Sequence, residues 1–249
     1  MSLKRSLKRT LWVFPSVYFM ILRILRFTGR FGLVPADFVP PESYRTNGLV
    51  NRETELVIEG FPRSGNSFAV TAMRLSQERS LIIAHHFHVP AQIIYACRHG
   101  IPVLVIIRKA SDAIISQKIR TSSGNLEQAL MDWISFYECI MPYRDRFVLA
   151  GFEDITEDFG VVIDRINTKF GTCFSCFIHS KENCEEVFRR IETWSVHIHG
   201  KVEEFSIERP SSARQALKRE LVRELESEKY SPLLEKAGRI YRAFISGGL

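Results

Sequence analysis

Residues 11–22, LWVFPSVYFMIL, are uncharged and mostly apolar, yet the run stops short of the ~20 residues a bilayer core requires. The A-x-A signature of a cleavable signal peptide is missing. Cysteines are few and odd in number (Cys97, Cys139, Cys173, Cys176 and Cys184), which does not suit a disulfide framework and points to a reducing, cytoplasmic compartment. There are no internal repeats and no low-complexity segments. Acid is absent from the first 30 residues, where seven of the 34 basic residues lie. The remaining 27 basic residues face 28 acidic ones, so the body is close to neutral. The overall charge of +6 is therefore not evidence for a nucleic-acid-binding surface, and no nucleic-acid partner is expected.

A length of 249 residues with 45% hydrophobic content buries one sizeable core. Residues 1–27 form a basic and apolar N-terminal segment, 28–54 an irregular connector marked by Pro35, Pro40, Pro41 and Asn47-Gly48, and 55–249 the main domain. The N-terminal segment has three readings: an interfacial helix with its arginines on anionic headgroups, a marginal anchor, or a helix packed on the domain.

Short apolar runs at 55–60, 81–84, 103–107 and 146–150 read as strands. Helices are expected at 66–78, 90–98, 111–120 with Ser111 or Asp112 as cap, 125–142, and 156–170 closed by Gly171. The stretch 181–246 reads as charged and mainly helical, with breaks near Gly200, Pro210 and Pro232. Strands alternating with helices give an α/β fold with three layers, a central, mostly parallel sheet and a helical C-terminal part. Ligands in such folds lie at the carboxyl ends of the strands.

The first loop after a strand is Gly60-Phe61-Pro62-Arg63-Ser64-Gly65-Asn66-Ser67. Its glycines have the G-x-x-x-x-G spacing of a phosphate loop, and Ser67 stands at that motif's Ser/Thr. The motif's lysine is replaced by Asn66, and the cation comes earlier, as Arg63. Backbone N–H groups at a helix N-terminus attract an anion, and an arginine adds fixed charge with several donors. A second candidate runs from Ile107 to Ser116, with Arg108 ending a strand and Ser116 in the next helix.

Together these motifs resemble the sulfotransferase family that uses 3′-phosphoadenosine 5′-phosphosulfate (PAPS). GFPRSGNSF is similar to its Y-P-K-S-G-T-T-W loop, IIRKASDAIIS to its R-N-P-x-D-x-x-x-S motif, and Phe152-Glu153-Asp154-Ile155 to its Y-E-D-L. The resemblance covers roughly residues 55–172 and implies a P-loop-like fold. It assigns Arg63 to the sulfuryl group, Ser64, Gly65, Asn66 and Ser67 to the 5′-phosphate, Phe68 to stacking on adenine, and Arg108 with Ser116 to the 3′-phosphate. Glu153 and Asp154 are expected to cap a helix instead. The implied reaction is in-line transfer of a sulfuryl group to a hydroxyl on a glycan, lipid or small molecule, without a metal.

The acceptor's proton needs a base, and His86-Phe87-His88-Val89-Pro90 resembles the family's K-T-H-L-P, which makes His88 that base, with His86 and His85 as alternates. Zinc on Cys173, Cys176, His179 and Cys184 is disfavoured, and an inert buried role preferred. His197-Ile198-His199 fits alternation on a half-buried strand, and Arg209 is a candidate for closing over the 3′-phosphate. Two other functions compete. One is a P-loop small-molecule kinase or nucleotide hydrolase, opposed by Asn66 and by the absence of a clear Walker B aspartate. The other is a non-catalytic, membrane-associated nucleotide-binding protein, opposed by the histidine-rich loop.

Overall fold

The computed structural model describes residues 9–27, 48–121, 125–199 and 214–247. Arg209 and its loop, and most of the 28–54 connector, lie outside them. Four parallel strands form one sheet: β1 (Leu56–Gly60), β2 (Ile83–His85), β3 (Val103–Ile107) and β4 (Val148–Gly151), in the order β2-β1-β3-β4. The register pairs Ile58 with His85 on one side of β1 and with Leu104 on the other, and Ile107 pairs with Gly151. All five residues of β1 and of β3 are buried, as both-faced parallel strands require.

The helices are α1 (Pro15–Phe27), α2 (Asn66–Ser76), α3 (Pro90–His99), α4 (Ala110–Thr121), α5 (Leu126–Ile140), α6 (Phe152–Glu157), α7 (Phe159–Phe170), α8 (Lys181–His199), α9 (Arg214–Leu225) and α10 (Ser231–Ile245). Strand side chains alternate between the two faces, so each face acquires its own core. Val57, Val103, Val105 and Ile107 meet α1, α3, α4, α5, α9 and α10. Leu56, Ile58, Leu104 and Ile106 meet α2, α7 and α8. The result is the expected three-layer α/β architecture.

Local signals account for most boundaries. Pro90 starts α3, and Gly100 at φ 69° ends it. The Asn125 side chain accepts from the Glu127 N–H at the start of α5. Several expectations need correction. α4 starts at Ala110, so Ser111 and Asp112 sit in its first turn rather than at its cap. The helix expected at 156–170 is two helices, because the Asp158 carboxylate accepts from the Gly160 and Val161 N–H groups and opens α7. Residues 197–199 continue α8 and form no strand. Cys173 and Cys176 are exposed, not buried, and all five cysteines are free. His179 accepts the Phe159 N–H through Nδ1, a structural task.

Residues 9–27 join the domain. Trp12, Tyr18, Phe19 and Leu22 are buried in the same core as α3, while Val13, Phe14, Val17 and Met20 face outward. Among the described residues, no helix is long and apolar enough to cross a membrane.

Candidate functional site

The chain runs from β1 to β2 on one side and then crosses to β3 on the other. The crevice at the carboxyl ends of β1 and β3 is thus the topological switch point, where open α/β sheets take ligands. Both cationic motifs end there. Arg63 lies just beyond β1 and Arg108 just beyond β3.

The loop after β1 is tightly specified. A Cβ at Gly60 would stand 2.3 Å from the Ile106 carbonyl oxygen, so only glycine lets β1 pass β3 there. Gly65, at φ 99°, precedes α2 and leaves that helix without a side-chain cap. The N–H groups of its first turn therefore present an uncapped positive end. Arg63 adopts a left-handed backbone at φ 68°. Such strain in a non-glycine residue persists where the surroundings enforce it, commonly at functional sites.

The structure brings the two motifs together. Arg63 Nε donates to Ser116 Oγ at 3.1 Å, and Arg108 Nη1 donates to the Arg63 carbonyl at 3.0 Å. Ser116 thus ties the second motif to the first through Arg63. Burial pushes the Arg108 guanidinium below its ordinary value; Asp112 opposes this, and Arg63 reinforces it. Its guanidinium carbon lies 3.9 Å from the centre of the Phe152 ring. The third motif accordingly contributes its aromatic residue to seating Arg108. Asp154, as expected of a capping acid, accepts the Gly151 N–H at 2.9 Å.

Three assigned side chains are buried. Ser64 is fully buried. Asn66 is buried and its Nδ2 donates to the Phe61 carbonyl, closing the loop. Ser64 Oγ and Asn66 Oδ1 are buried polar atoms without a hydrogen-bond partner among the described residues. Phe68 is 7% exposed and packs against Phe177, His179 and Phe188, so little of its ring is left for a base.

The histidines occupy the other flank of β1. His88 Nδ1 lies 2.8 Å from the Gly60 carbonyl, which only accepts, so the proton is on Nδ1 and Nε2 is the basic nitrogen of the neutral ring. His88 is about a quarter exposed. His85 ends β2 instead of lying in the loop, and both His85 and His86 are buried.

Four residues escaped the sequence reading. Glu59, in β1, is fully buried. Its carboxylate accepts the Phe87 and His88 N–H groups and the Gln92 amide, and so shapes the loop that carries His88. Burial pushes its carboxyl up to about 8, against these donors. An acid inside an otherwise apolar strand was the available signal. Gln92, from α3, also accepts the Val50 N–H. Trp133 and Tyr137, one turn apart on α5, pin both loops. Trp133 donates to the Arg108 carbonyl, while Tyr137 donates to the Ile106 carbonyl and accepts from the Phe61 N–H. Nothing in their spacing separates them from ordinary core aromatics.

No protein-family model and no curated protein sequence matches this chain. Among solved structures it is similar to mouse sulfotransferase SULT7A1 complexed with PAP. That likeness has a TM-score of 0.47 and 10% identity, over 81% of this chain and 88% of the mouse chain. Among the described residues, no cluster of His, Cys, Asp or Glu could hold a metal ion.

Proposed function

We propose that this chain is a PAPS-dependent sulfotransferase acting on a hydroxyl acceptor by in-line displacement. The observation that carries the reading is the meeting of Arg63, Arg108 and Ser116 beside the uncapped N-terminus of α2, at the switch point of the sheet. Arg63 meets Arg108 and Ser116, 45 and 53 residues further along the sequence, without a lysine in the usual phosphate-loop position.

The donor set suits a polyanion: two guanidinium groups, two hydroxyls and the first-turn N–H groups of α2. When bound, PAPS supplies the sulfuryl group and departs as the bisphosphate. The α2 N–H groups and Ser67 hold the 5′ end, Arg63 neutralises charge at the transferring oxygens, and Arg108 with Ser116 holds the 3′-phosphate. His88 Nε2 takes the acceptor's proton as its oxygen attacks. The acceptor is a glycan, lipid or small-molecule hydroxyl. The protein is cytoplasmic and peripheral on a membrane through the outward Val13, Phe14, Val17 and Met20, beside basic residues that favour anionic headgroups.

Calorimetry decides between the sulfotransferase and the nucleotide-triphosphate alternatives. The bisphosphate 3′-phosphoadenosine 5′-phosphate (PAP) should bind far more tightly than ATP or ADP without magnesium. Magnesium-dependent binding of ATP at equal or greater strength would turn the assignment to a kinase or hydrolase. Tight binding of the bisphosphate with no gain of SO3 on any member of a glycan, lipid and phenol panel would favour the non-catalytic alternative.

A further inference from the structure

The buried pair His85 and His86 has no part in the transfer just proposed, yet it links two polar residues of α2. Arg74 Nη2 lies 3.0 Å from His85 Nε2, His85 Nδ1 lies 2.6 Å from His86 Nδ1, and His86 Nε2 lies 3.1 Å from Ser67 Oγ. Ser67 and Arg74 are seven residues apart, so they lie on one face of α2, and the histidines bridge them.

We propose that Arg74, His85 and His86 form a one-way hydrogen-bond chain that fixes the Ser67 hydroxyl as a donor to an anion at the N-terminus of α2. The inference rests on the anion-binding reading of that loop. Its direction follows from bookkeeping of protons. A guanidinium has donors and no acceptor, so His85 Nε2 must be the unprotonated nitrogen. A neutral His85 then carries its proton on Nδ1 and donates it to His86 Nδ1. His86 Nδ1 being an acceptor, the proton of His86 sits on Nε2 and points at Ser67 Oγ. The oxygen of Ser67 is thereby occupied as an acceptor, and its own proton is left for a group outside the chain.

Reversal is excluded at its first link, because Arg74 cannot accept. A doubly protonated His86 would place two donors on one short contact. Burial also disfavours charge on either ring: it holds His85 down to about 3, with the charges of Arg74 and His88 adding to it, and keeps His86 well below its ordinary value. The backbone supports a designed placement. His86 has a left-handed φ of 62°, a strained conformation for a non-glycine residue that persists where the surroundings enforce it. The chain gives Ser67 a fixed sense. Its hydroxyl offers a proton to an anionic oxygen, whereas a freely rotating hydroxyl would also accept from donors and admit neutral groups.

Nitrogen-15 NMR of histidine-labelled, ligand-free protein at neutral pH tests the chain directly. The Nδ1–H tautomer is expected for His85 and the Nε2–H tautomer for His86. Nδ1–H or a charged ring at His86 would overturn the inference. Arg74 lies on the exposed side of α2, so Arg74→Met spares the core. It should mix the tautomers of both rings, while Arg74→Lys, whose ammonium donates and cannot accept, should restore them. Unmixed tautomers in Arg74→Met would sink the proposed direction.

Calorimetry with PAP adds a functional readout. Ser67→Ala and His86→Phe should each weaken binding about tenfold, and the double variant no more than either single one. Losses that multiply would mean that the two residues act independently. Absence of PAP binding by the unaltered chain would remove the anion-site reading itself, and the tautomer pattern would still decide whether the relay exists.

Discussion

The two flanks of β1 meet the crevice with opposite electrostatics. Toward β3 stand Arg63, Arg108 and Ser116, a half-buried cationic cluster. Toward β2 stand Glu59, His85, His86 and His88, a mostly buried set in which burial disfavours charge at Glu59, His85 and His86. The contrast shows a division of labour. Charge is kept where a polyanion would arrive, and on the other side direction is imposed through oriented hydrogen bonds, which a low-dielectric interior strengthens.

Breaking the neutral flank at its exposed end should have the largest effect. His88→Ala is expected to lower turnover about a thousandfold while leaving PAP binding within about twofold. A comparable loss in binding would show that His88 seats the nucleotide instead. Next in size is the buried end. Glu59→Ala strips three N–H donors of their acceptor and should cost about 3 kcal/mol in chemical denaturation.

Glu59 also sets a pH slope. Its folded value, about 8, lies above its ordinary 4.5, so the folded protein holds a proton that the unfolded chain gives up, and its contribution to stability falls as pH rises through that window. His85 and His86 act in the opposite sense below 6.5, because their folded values are lowered and stability is lost as pH falls. Between about pH 6.5 and 8 the Glu59 slope stands alone among these groups. Melting curves across that range should decline for the unaltered chain and flatten in Glu59→Gln; an equal decline in both would remove Glu59 as the cause.

On the cationic flank, Arg108→Ala should reduce the preference for PAP over adenosine 5′-phosphate by about thirtyfold, the loss of roughly 2 kcal/mol from a charge-assisted contact. A surviving preference would move the 3′-phosphate elsewhere. The smallest effect is expected from Phe152→Leu, which removes the ring beneath Arg108 and should weaken PAP binding about threefold, in line with a cation–π contact of roughly 0.5–1 kcal/mol. An unchanged affinity would mean that Trp133 and the loop alone hold Arg108 in place.

The cationic flank was legible in the sequence because its information is local. An apolar strand, a glycine at a fixed spacing and an arginine at a strand end can be read within ten residues, and Val103–Ile107 was recovered with both its boundaries. Asp158 was missed as a cap because a continuous apolar periodicity ran past it from 156 to 170. Phe68 was matched to a stacking role by position in a motif, and its burial against Phe177 and Phe188 depends on where α8 and the 172–180 segment come to lie.

By itself the sequence determined that this is an α/β chain with a phosphate-loop-like turn, two arginines at strand ends and a histidine-rich loop, since hydrophobic period and turn chemistry are written in adjacent residues. Only the tertiary structure decided that Arg63 reaches Ser116, that Glu59 lies under the His88 loop, and that Arg74 speaks to Ser67 through two histidines. The physical reason is that a buried polar group must find a partner, and which one it finds is set by strand order and helix packing across tens of residues.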